Sequence, residues 1–258
     1  MDNKYWSIDT DKIVNHDFLV DVKKFHQSTC SINRLSTLNH LDSELIEWLK
    51  VNELTQNIPN NFNKEIILSK SKVENRGSKR NFTHKSITKD ELSTILSNAF
   101  GANTTNFKRP YPSAGALYTI TPIIVVLSDD KFLEMGCYVY NSYKNSLLQI
   151  KKYNLNEIEE LKRNIYILPN NEFVSNYFIA YAIDLKKSLA KYNKRGYRYS
   201  LIEVGLMCQS FRNALLKAKS TDEIGELVWA GFDDNALTTL IGLNTSDFPI
   251  AIIQWFGK

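Results

Sequence analysis

The chain predicts an α+β fold in which helices flank a mostly antiparallel central sheet, and three observations carry that expectation. The stretch from Lys191 to Ser220 joins a polar, cation-rich lead to the longest uninterrupted helical pattern in the sequence. Apolar runs of strand length stand on both sides of it, at 120–127, 137–140, 147–150, 178–183 and 250–256. Amphipathic segments at 88–100, ahead of those runs, and at 155–167, between two of them, supply further helices.

Residues 1–70 carry short helical hints, such as the apolar set Leu41, Leu45, Trp48 and Leu49, broken by Asn-rich pieces like 57–63. With no long periodic segment of its own, this stretch is expected to be an N-terminal arm that docks a partner or wraps a dimer. A single domain over 71–258 follows it. His16, His26 and His40 lack ligand spacing and are expected to be surface or hydrogen-bonded histidines. No metal site is predicted.

Residues 75–82, NRGSKRNF, place Arg76, Ser78, Lys79 and Arg80 around a glycine. Arginine suits phosphate because its planar fork makes two parallel hydrogen bonds, and a glycine lets backbone N–H groups approach. Solvated loops carry the same pattern. Next, Thr88 to Glu91 forms a capping box with Ile87 and Leu92 placed as a hydrophobic staple, so a helix starts at Thr88 and stops at Gly101.

In 109–118, RPYPSAGALY, two prolines fix a turn while Ser113, Ala114 and Gly115 remove bulk. The backbone there is free to lie against something flat. The charged helix at 155–167 shows no chemistry. Ahead of the long helix, Lys191, Tyr192, Lys194, Arg195, Tyr197, Arg198 and Tyr199 crowd together, which suggests a ligand at the mouth of a core as readily as a solvated lead. From Tyr199 onward, Leu201, Gly205, Cys208, Phe211 (or Arg212), Leu215 and Ala218 keep one face apolar. Ile202, Val204, Leu206 and Met207 make the first half apolar nearly all round, so it is expected to be buried in a core or between subunits. After it, VWAGFDD at 228–234 reads as a turn, and Asp233 and Asp234 as caps of a short helix that ends at Gly242.

The 258 residues suffice for a sizeable core, and a net charge of +4 on a chain with 43% hydrophobic residues is that of an ordinary globular protein. With no basic run interleaved with aromatics, nucleic-acid binding is not expected. Cys30, Cys137 and Cys208 are odd in number and lie outside any CxxC, so they read as small core residues of a reducing compartment. No signal segment or membrane-length apolar run is seen, and a cytoplasmic location is expected.

These pieces together resemble the nitroreductase-like flavoproteins and, within them, the SagB-type azoline dehydrogenases of thiazole- and oxazole-modified microcin synthesis. The resemblance covers most of the chain, from FHQST at 25–29 to the last strand. It rests on RxSxR at Arg76 to Arg80, RPYPSAGALY at 109–118, GCYVYN at 136–141, KYNKRGYRYSLIEVG at 191–205 and VWAGFDD at 228–234. Two departures stand out: Tyr118 is followed by Thr119 to Pro122 rather than by Pro and Glu, and Lys258 ends the chain without the C-terminal basic pair of nitroreductases proper.

The resemblance implies an FMN enzyme built as an intertwined homodimer with two flavins at the subunit interface. It assigns Arg76, Ser78 and Arg80 to the FMN phosphate and adds Arg198 to the cofactor-binding set. Pro112, Ser113 and Gly115 would reach the flavin from the other subunit, and Val228, Trp229, Ala230 and Gly231 would lie along the ring. Lys191 and Tyr192 match the Lys-Tyr pair that the microcin dehydrogenases use in catalysis and that simple nitroreductases lack. Their chemistry is suitable, because aromatising a thiazoline removes one proton and one hydride, and the site needs a base opposite the cofactor. Burial beside Lys194, Arg195 and Arg198 is expected to bring a lysine toward a usable base, and which of the two residues takes the proton stays open.

The implied product is a ribosomally made peptide carrying thiazoles or oxazoles, a linear azole bacteriocin or a thiopeptide, and the implied partners are a thiazoline-bearing precursor peptide, a cyclodehydratase and leader-binding proteins. Two other readings remain. An NAD(P)H-dependent nitro- or quinone reductase needs the same FMN site without the Lys-Tyr pair. A non-catalytic scaffold subunit of an azole synthetase would use the N-terminal arm as its partner surface.

Overall fold

The structure, a computed structural model, describes residues 13–32, 43–56, 58, 60–71, 77–166, 174–217 and 224–258. It divides into two compact units, one formed by Met1–Arg34 with Ser78–Lys258 and the other by Leu35–Gly77. The stretch 1–70 is thus shared between them: helix α1 (His16–Thr29) belongs to the first unit and helix α2 (Ser43–Asn52) to the second. By itself α2 buries none of its residues. The remaining elements all lie in the first unit, in the order α3 (Lys89–Phe100), β1 (Ile120–Val126), β2 (Gly136–Asn141), β3 (Ser146–Lys152), α4 (Leu155–Asn164), β4 (Tyr177–Ile183), α5 (Leu185–Tyr192), α6 (Arg195–Lys217), β5 (Gly225–Trp229), α7 (Asp234–Ile241) and β6 (Ile250–Gly257).

The six strands form one antiparallel sheet in the order β3-β2-β1-β4-β6-β5. Strands β1 and β4 run side by side over their whole length, from Ile120 opposite Ile183 to Val126 opposite Tyr177. Because side chains alternate across a strand, Ile124 and Val126 join one core with Phe100, Met207 and Phe211, while Ile123 and Val125 join a second with Leu161, Leu237 and Ile241. Helices α3 and α6 therefore cover one face and α4 and α7 the other. Covering both faces explains why β1 and β4 read as continuous apolar runs, a pattern more usual in parallel sheets.

The local signals hold where a backbone group needed a partner. Thr88 caps α3 with both hydrogen bonds of the capping box present, and Ile87 and Leu92 are buried beside it. Asp233 caps α7 by accepting from the Ala236 N–H, and Gly242 closes it in the left-handed region at φ 91°. Among the described residues no helix is long and apolar enough to cross a membrane, and no group of His, Cys, Asp and Glu is arranged to hold a metal. All three cysteines are free.

Three expectations are corrected. Helix α6 begins at Arg195, so Tyr197 is a buried helical residue and not part of a polar lead. The first half of α6, expected in a core or between subunits, has Leu201, Ile202 and Leu206 exposed in this chain, and nothing lies within 4 Å of a Cβ placed on Gly205. The first two residues of the 228–234 turn, Val228 and Trp229, end strand β5, an edge strand whose sequence GELVW lacks clean alternation because Glu226 is buried within it. Helix α1 spans fourteen residues on a thin apolar stripe, with only Leu19, Val22 and His26 buried.

Helix α1 is tied down by polar contacts. The His26 Nδ1 and the Tyr197 hydroxyl are 2.9 Å apart, and Asp247 accepts from Lys23 at 2.7 Å and faces Lys186 at 3.3 Å. Burial pushes the Asp247 carboxyl up, but the two lysines more than offset it and hold the group below its ordinary value. A carboxyl depressed in the fold contributes stability above its unfolded value and loses it as pH falls through the folded one. We expect Asp247→Asn to cost about 1 kcal/mol at neutral pH, the scale of a partly screened pair, and the deficit to fade at a second, acidic pH below the ordinary carboxylate range. Urea unfolding of both proteins at the two pH values checks this.

Candidate active site at the 109–118 turn and the end of α5

The turn that leads into β1 is closed at its ends by one arginine. The Arg109 N–H donates to the Tyr118 hydroxyl at 3.0 Å, its guanidinium lies 4.4 Å from the centroid of the Tyr118 ring, and Nη1 donates to the Tyr111 hydroxyl at 3.1 Å. Inside the turn, Gly115, Ala116 and Tyr118 all have positive φ, at 58°, 55° and 49°. Two of these are not glycine, and each such residue costs about 1 kcal/mol unless the surroundings hold it. Ser113 supplies one restraint, since its Oγ accepts from the Tyr118 N–H at 2.8 Å and donates to Glu203 Oε2 at 2.6 Å. Behind the turn lies a cavity of about 310 Å³, with Arg109, Tyr111, Tyr118, Tyr140 and Lys187 in its wall.

Helix α5 brings its lysines to the same turn. Asp184 caps the helix by accepting from the Lys187 N–H at 2.8 Å, and burial raises its carboxyl pKa. Lys187 and Lys191, four residues apart, share a helical face, and their Nζ atoms donate to the carbonyls of Tyr118 at 3.5 Å and Gly115 at 3.4 Å. Tyr192 packs edge-on against Tyr199 of α6, with ring centroids 5.1 Å apart, and the Lys191 ammonium is 5.6 Å from the Tyr192 ring centroid. A Cβ on Gly115 would collide with Tyr192 Oη and lie 2.5 Å from Lys191 Nζ. Only a glycine leaves room for both groups.

Lys191, Tyr192, Ser113 and Gly115 are thus brought together in one chain, and Pro112 lies exposed at the same turn. The expected burial of Lys191 among cations is corrected: Lys191 is exposed, and Lys194 turns away to pair with Asp21 at 2.5 Å. Arg195 and Arg198 line a separate cavity of about 510 Å³ with Phe25, Tyr197 and Leu201. The reason is the helix start at Arg195, which sends these cations around α6 away from α5.

A second cluster forms at the far end of α6. Arg212 pairs with the buried Glu226 of β5 at 2.5 Å and reaches Ser78 Oγ at 3.5 Å, while the Lys79 N–H donates to the Glu226 carbonyl at 2.9 Å. Arg80 is exposed beside them in sequence, and Arg76 lies outside the described residues. Arg198 does not join this cluster, because fourteen residues of α6 separate it from Arg212, about 21 Å at about 1.5 Å per residue. Val228 and Trp229 end β5, Ala230 is exposed, and the Trp229 Nε1–H donates to the Gly231 carbonyl at 3.0 Å.

Two residues of these clusters were missed in the sequence. Arg212 was visible only as a cation interrupting the apolar stripe. Glu203 is 2% exposed, burial raises its carboxyl pKa, and among the described residues its Oε1 has no hydrogen-bond partner. An acid at a core-facing helical position, between Ser200 and Met207, was its signal.

With this geometry in hand, comparison with known proteins gives a consistent answer. The model of the Nitroreductase family matches residues 73–257. The Escherichia coli microcin B17-processing protein McbC is 31% identical over 214 residues, covering 76% of each chain. A Methanocaldococcus jannaschii protein that bears a nitroreductase name is 26% identical over 181 residues, covering 69% of this chain and 85% of that one. Among solved structures, a chain of the E. coli microcin synthetase McbBCD complex with truncated pro-MccB17 bound superposes with a TM-score of 0.82 at 24% identity, covering 99% of this chain and 98% of that one.

The crowding at Gly115 has a direct test. We expect Gly115→Ala to destabilise the protein by about 1–2 kcal/mol, since alanine pays for a left-handed φ and meets two side chains. Ala116→Gly, next to it, should cost nothing because its φ of 55° already suits glycine. Urea unfolding should therefore show a lowered midpoint for Gly115→Ala and an undiminished one for Ala116→Gly.

Proposed function

The chain belongs to the nitroreductase family, and on that premise we propose that it is an FMN-dependent dehydrogenase that oxidises thiazolines, with oxazolines as further substrates, in a ribosomally made peptide. The observation that carries this reading is the Lys191–Tyr192 pair held on the strained Gly115 turn, a pair that a simple reductase does not need. The likeness to McbC and to a chain of a microcin synthetase with its pro-peptide supports a peptide substrate and synthetase partners.

The residues present fit FMN. A hydroxyl at Ser78 and exposed guanidinium at Arg80 are the donors a phosphate dianion takes, and the nearby acid Glu226 is already engaged by Arg212 and Gln254. Arg76, Ser78 and Arg80 would hold the phosphate, and Arg198, about 21 Å from Arg212 along α6, takes no part in it. Val228 to Gly231 would offer backbone along the ring, and Pro112, Ser113 and Gly115 would face it from a second subunit. The cofactor supplies the hydride acceptor. The protein supplies the rest: the ring C–H proton leaves to the Lys191–Tyr192 pair, at Nζ or Oη, while the turn holds both groups at one spot.

This reading also requires a homodimer. Exposed Leu201, Ile202 and Leu206 and the open space at Gly205 form an apolar face on one side of α6, the kind of surface that an obligate interface covers.

Two experiments separate these roles. At equal flavin occupancy, Lys191→Ala and Tyr192→Phe should retain bound FMN yet lose azoline oxidation by about 10² to 10⁴-fold, read as loss of about 2 Da per ring on a thiazoline peptide. Arg76→Ala should instead shed flavin. Undiminished turnover by Lys191→Ala would leave a generic flavin reductase as the better reading. For the dimer, Ile202→Asp combined with Leu206→Asp should give a monomer by light scattering and release FMN; a dimer that survives both changes would refute this interface.

A further inference from the structure

Glu203 takes no part in the chemistry above, yet it is the buried acid nearest the turn in bonding terms. It stands on the sheet-facing side of α6 at 2% exposure. Oε2 accepts from Ser113 at 2.6 Å and from Thr119 at 3.4 Å, and Thr119 also meets Ser200 of α6 at 3.1 Å. Among the described residues Oε1 is buried without a hydrogen-bond partner. A carboxylate in such a place is costly, and filling space alone would be done better by an apolar side chain.

Its acceptor oxygen, by contrast, has a definite task. Ser113 Oγ can accept from the Tyr118 N–H only while its own O–H points elsewhere, and Glu203 Oε2 accepts that O–H's hydrogen bond. The Ser113 carbonyl in turn accepts from the Ala116 N–H at 3.0 Å. Gly115, Ala116 and Tyr118, the residues with positive φ, all fall inside the loop that these bonds close. The outer side of that loop presents the Gly115 carbonyl to Lys191 Nζ.

We propose that Glu203 is a positioning residue for azoline oxidation: through Ser113 it fixes the turn whose Gly115 carbonyl holds Lys191, and so sets where the proton-accepting pair stands. The inference rests on the dehydrogenase reading of the same site. Glu203 touches neither substrate nor cofactor in this role. It links the rigid helix to a strained turn, and the turn to the lysine.

The test uses the full-length, FMN-loaded protein and a synthetic peptide bearing thiazolines, with Ser113→Ala, Glu203→Leu and Glu203→Gln made in the native and Lys191→Ala backgrounds. In the native background Ser113→Ala and Glu203→Leu should lower kcat by about 10- to 10²-fold with little change in KM, the scale of a displaced catalytic group. Glu203→Gln keeps an acceptor oxygen and should stay within a few-fold of native. In the Lys191→Ala background the first two changes should cost nothing more, because the group they position is gone. A second readout needs no turnover: acylation of Lys191 by an amine-reactive ester in flavin-free protein, followed by peptide mass mapping, should be several-fold faster in Ser113→Ala.

Losses that multiply equally in both backgrounds, or unchanged Lys191 labelling in Ser113→Ala, would make Glu203 merely structural and overturn the proposal. If Glu203→Leu fails to fold, Ser113→Ala decides alone. A native protein that leaves thiazolines untouched, or a Lys191→Ala variant as fast as native, overturns the dehydrogenase reading and this inference with it. Native turnover lost in Lys191→Ala but kept in Ser113→Ala overturns this inference only.

Discussion

The packing of α6 across the sheet is the constraint on which the rest of the structure depends. Phe211 stacks on Phe100 at 5.9 Å and meets Phe256 edge-on at 5.3 Å, which locks the helix between α3 and the central strands. Met207 and Phe211 have no exposure left, so neither rotation nor sliding is free. Everything the helix carries is therefore placed as on a ruler. Its front turns hold Tyr199 and Glu203 against the end of α5 and the 109–118 turn, and its rear turn holds Arg212 against Ser78 and β5.

That rigidity explains how the sheet tolerates buried polar groups beside the helix. Gln254, at the centre of β6, accepts from the Tyr181 hydroxyl at 2.6 Å and donates to Glu226 at 2.8 Å and to the Cys208 carbonyl at 3.3 Å. Glu226 is paired in turn with Arg212. Each donor and acceptor in this chain of contacts is satisfied, so burial costs little net free energy. Glu203 is the contrast: one of its oxygens is used and the other is not. The same helix thus carries a closed polar network at its rear and an open one at its front, beneath the candidate catalytic turn.

Local chemistry made most of the fold legible. The capping box at Thr88, the aspartate cap at Asp233 and the stop at Gly242 could be read because each follows from backbone groups that need partners within a few residues. Strands β1, β4 and β6 showed as apolar runs because both faces of the sheet are covered there, while edge strand β3 showed by Leu147, Leu148 and Ile150 although none of its residues is buried. Strand β5 did not, since its pairing is decided by β6 and its buried Glu226 by Arg212, both distant in sequence. The site divides in the same way. Lys191, Tyr192, Ser113 and Gly115 could be named from motifs, but their meeting depends on α5 and the turn lying side by side. Glu203 and Arg212 sit at core-facing helix positions, where one polar residue looks like an irregularity until its partner is seen.

The exposure of Lys191 and the exposure of the α6 face concern one region of the surface. Tyr199, whose ring packs on Tyr192, is three residues before Ile202 and so lies next to it on the helix. The apolar face formed by Leu201, Ile202 and Leu206 therefore starts at the edge of the Lys-Tyr pair. In the single chain Lys191 is exposed, so water reaches its Nζ. A second subunit laid on the α6 face would bring apolar surface to the lysine at the same time as it buried the leucines. In the dehydrogenase reading the Lys-Tyr pair and the proposed subunit interface are then one continuous surface.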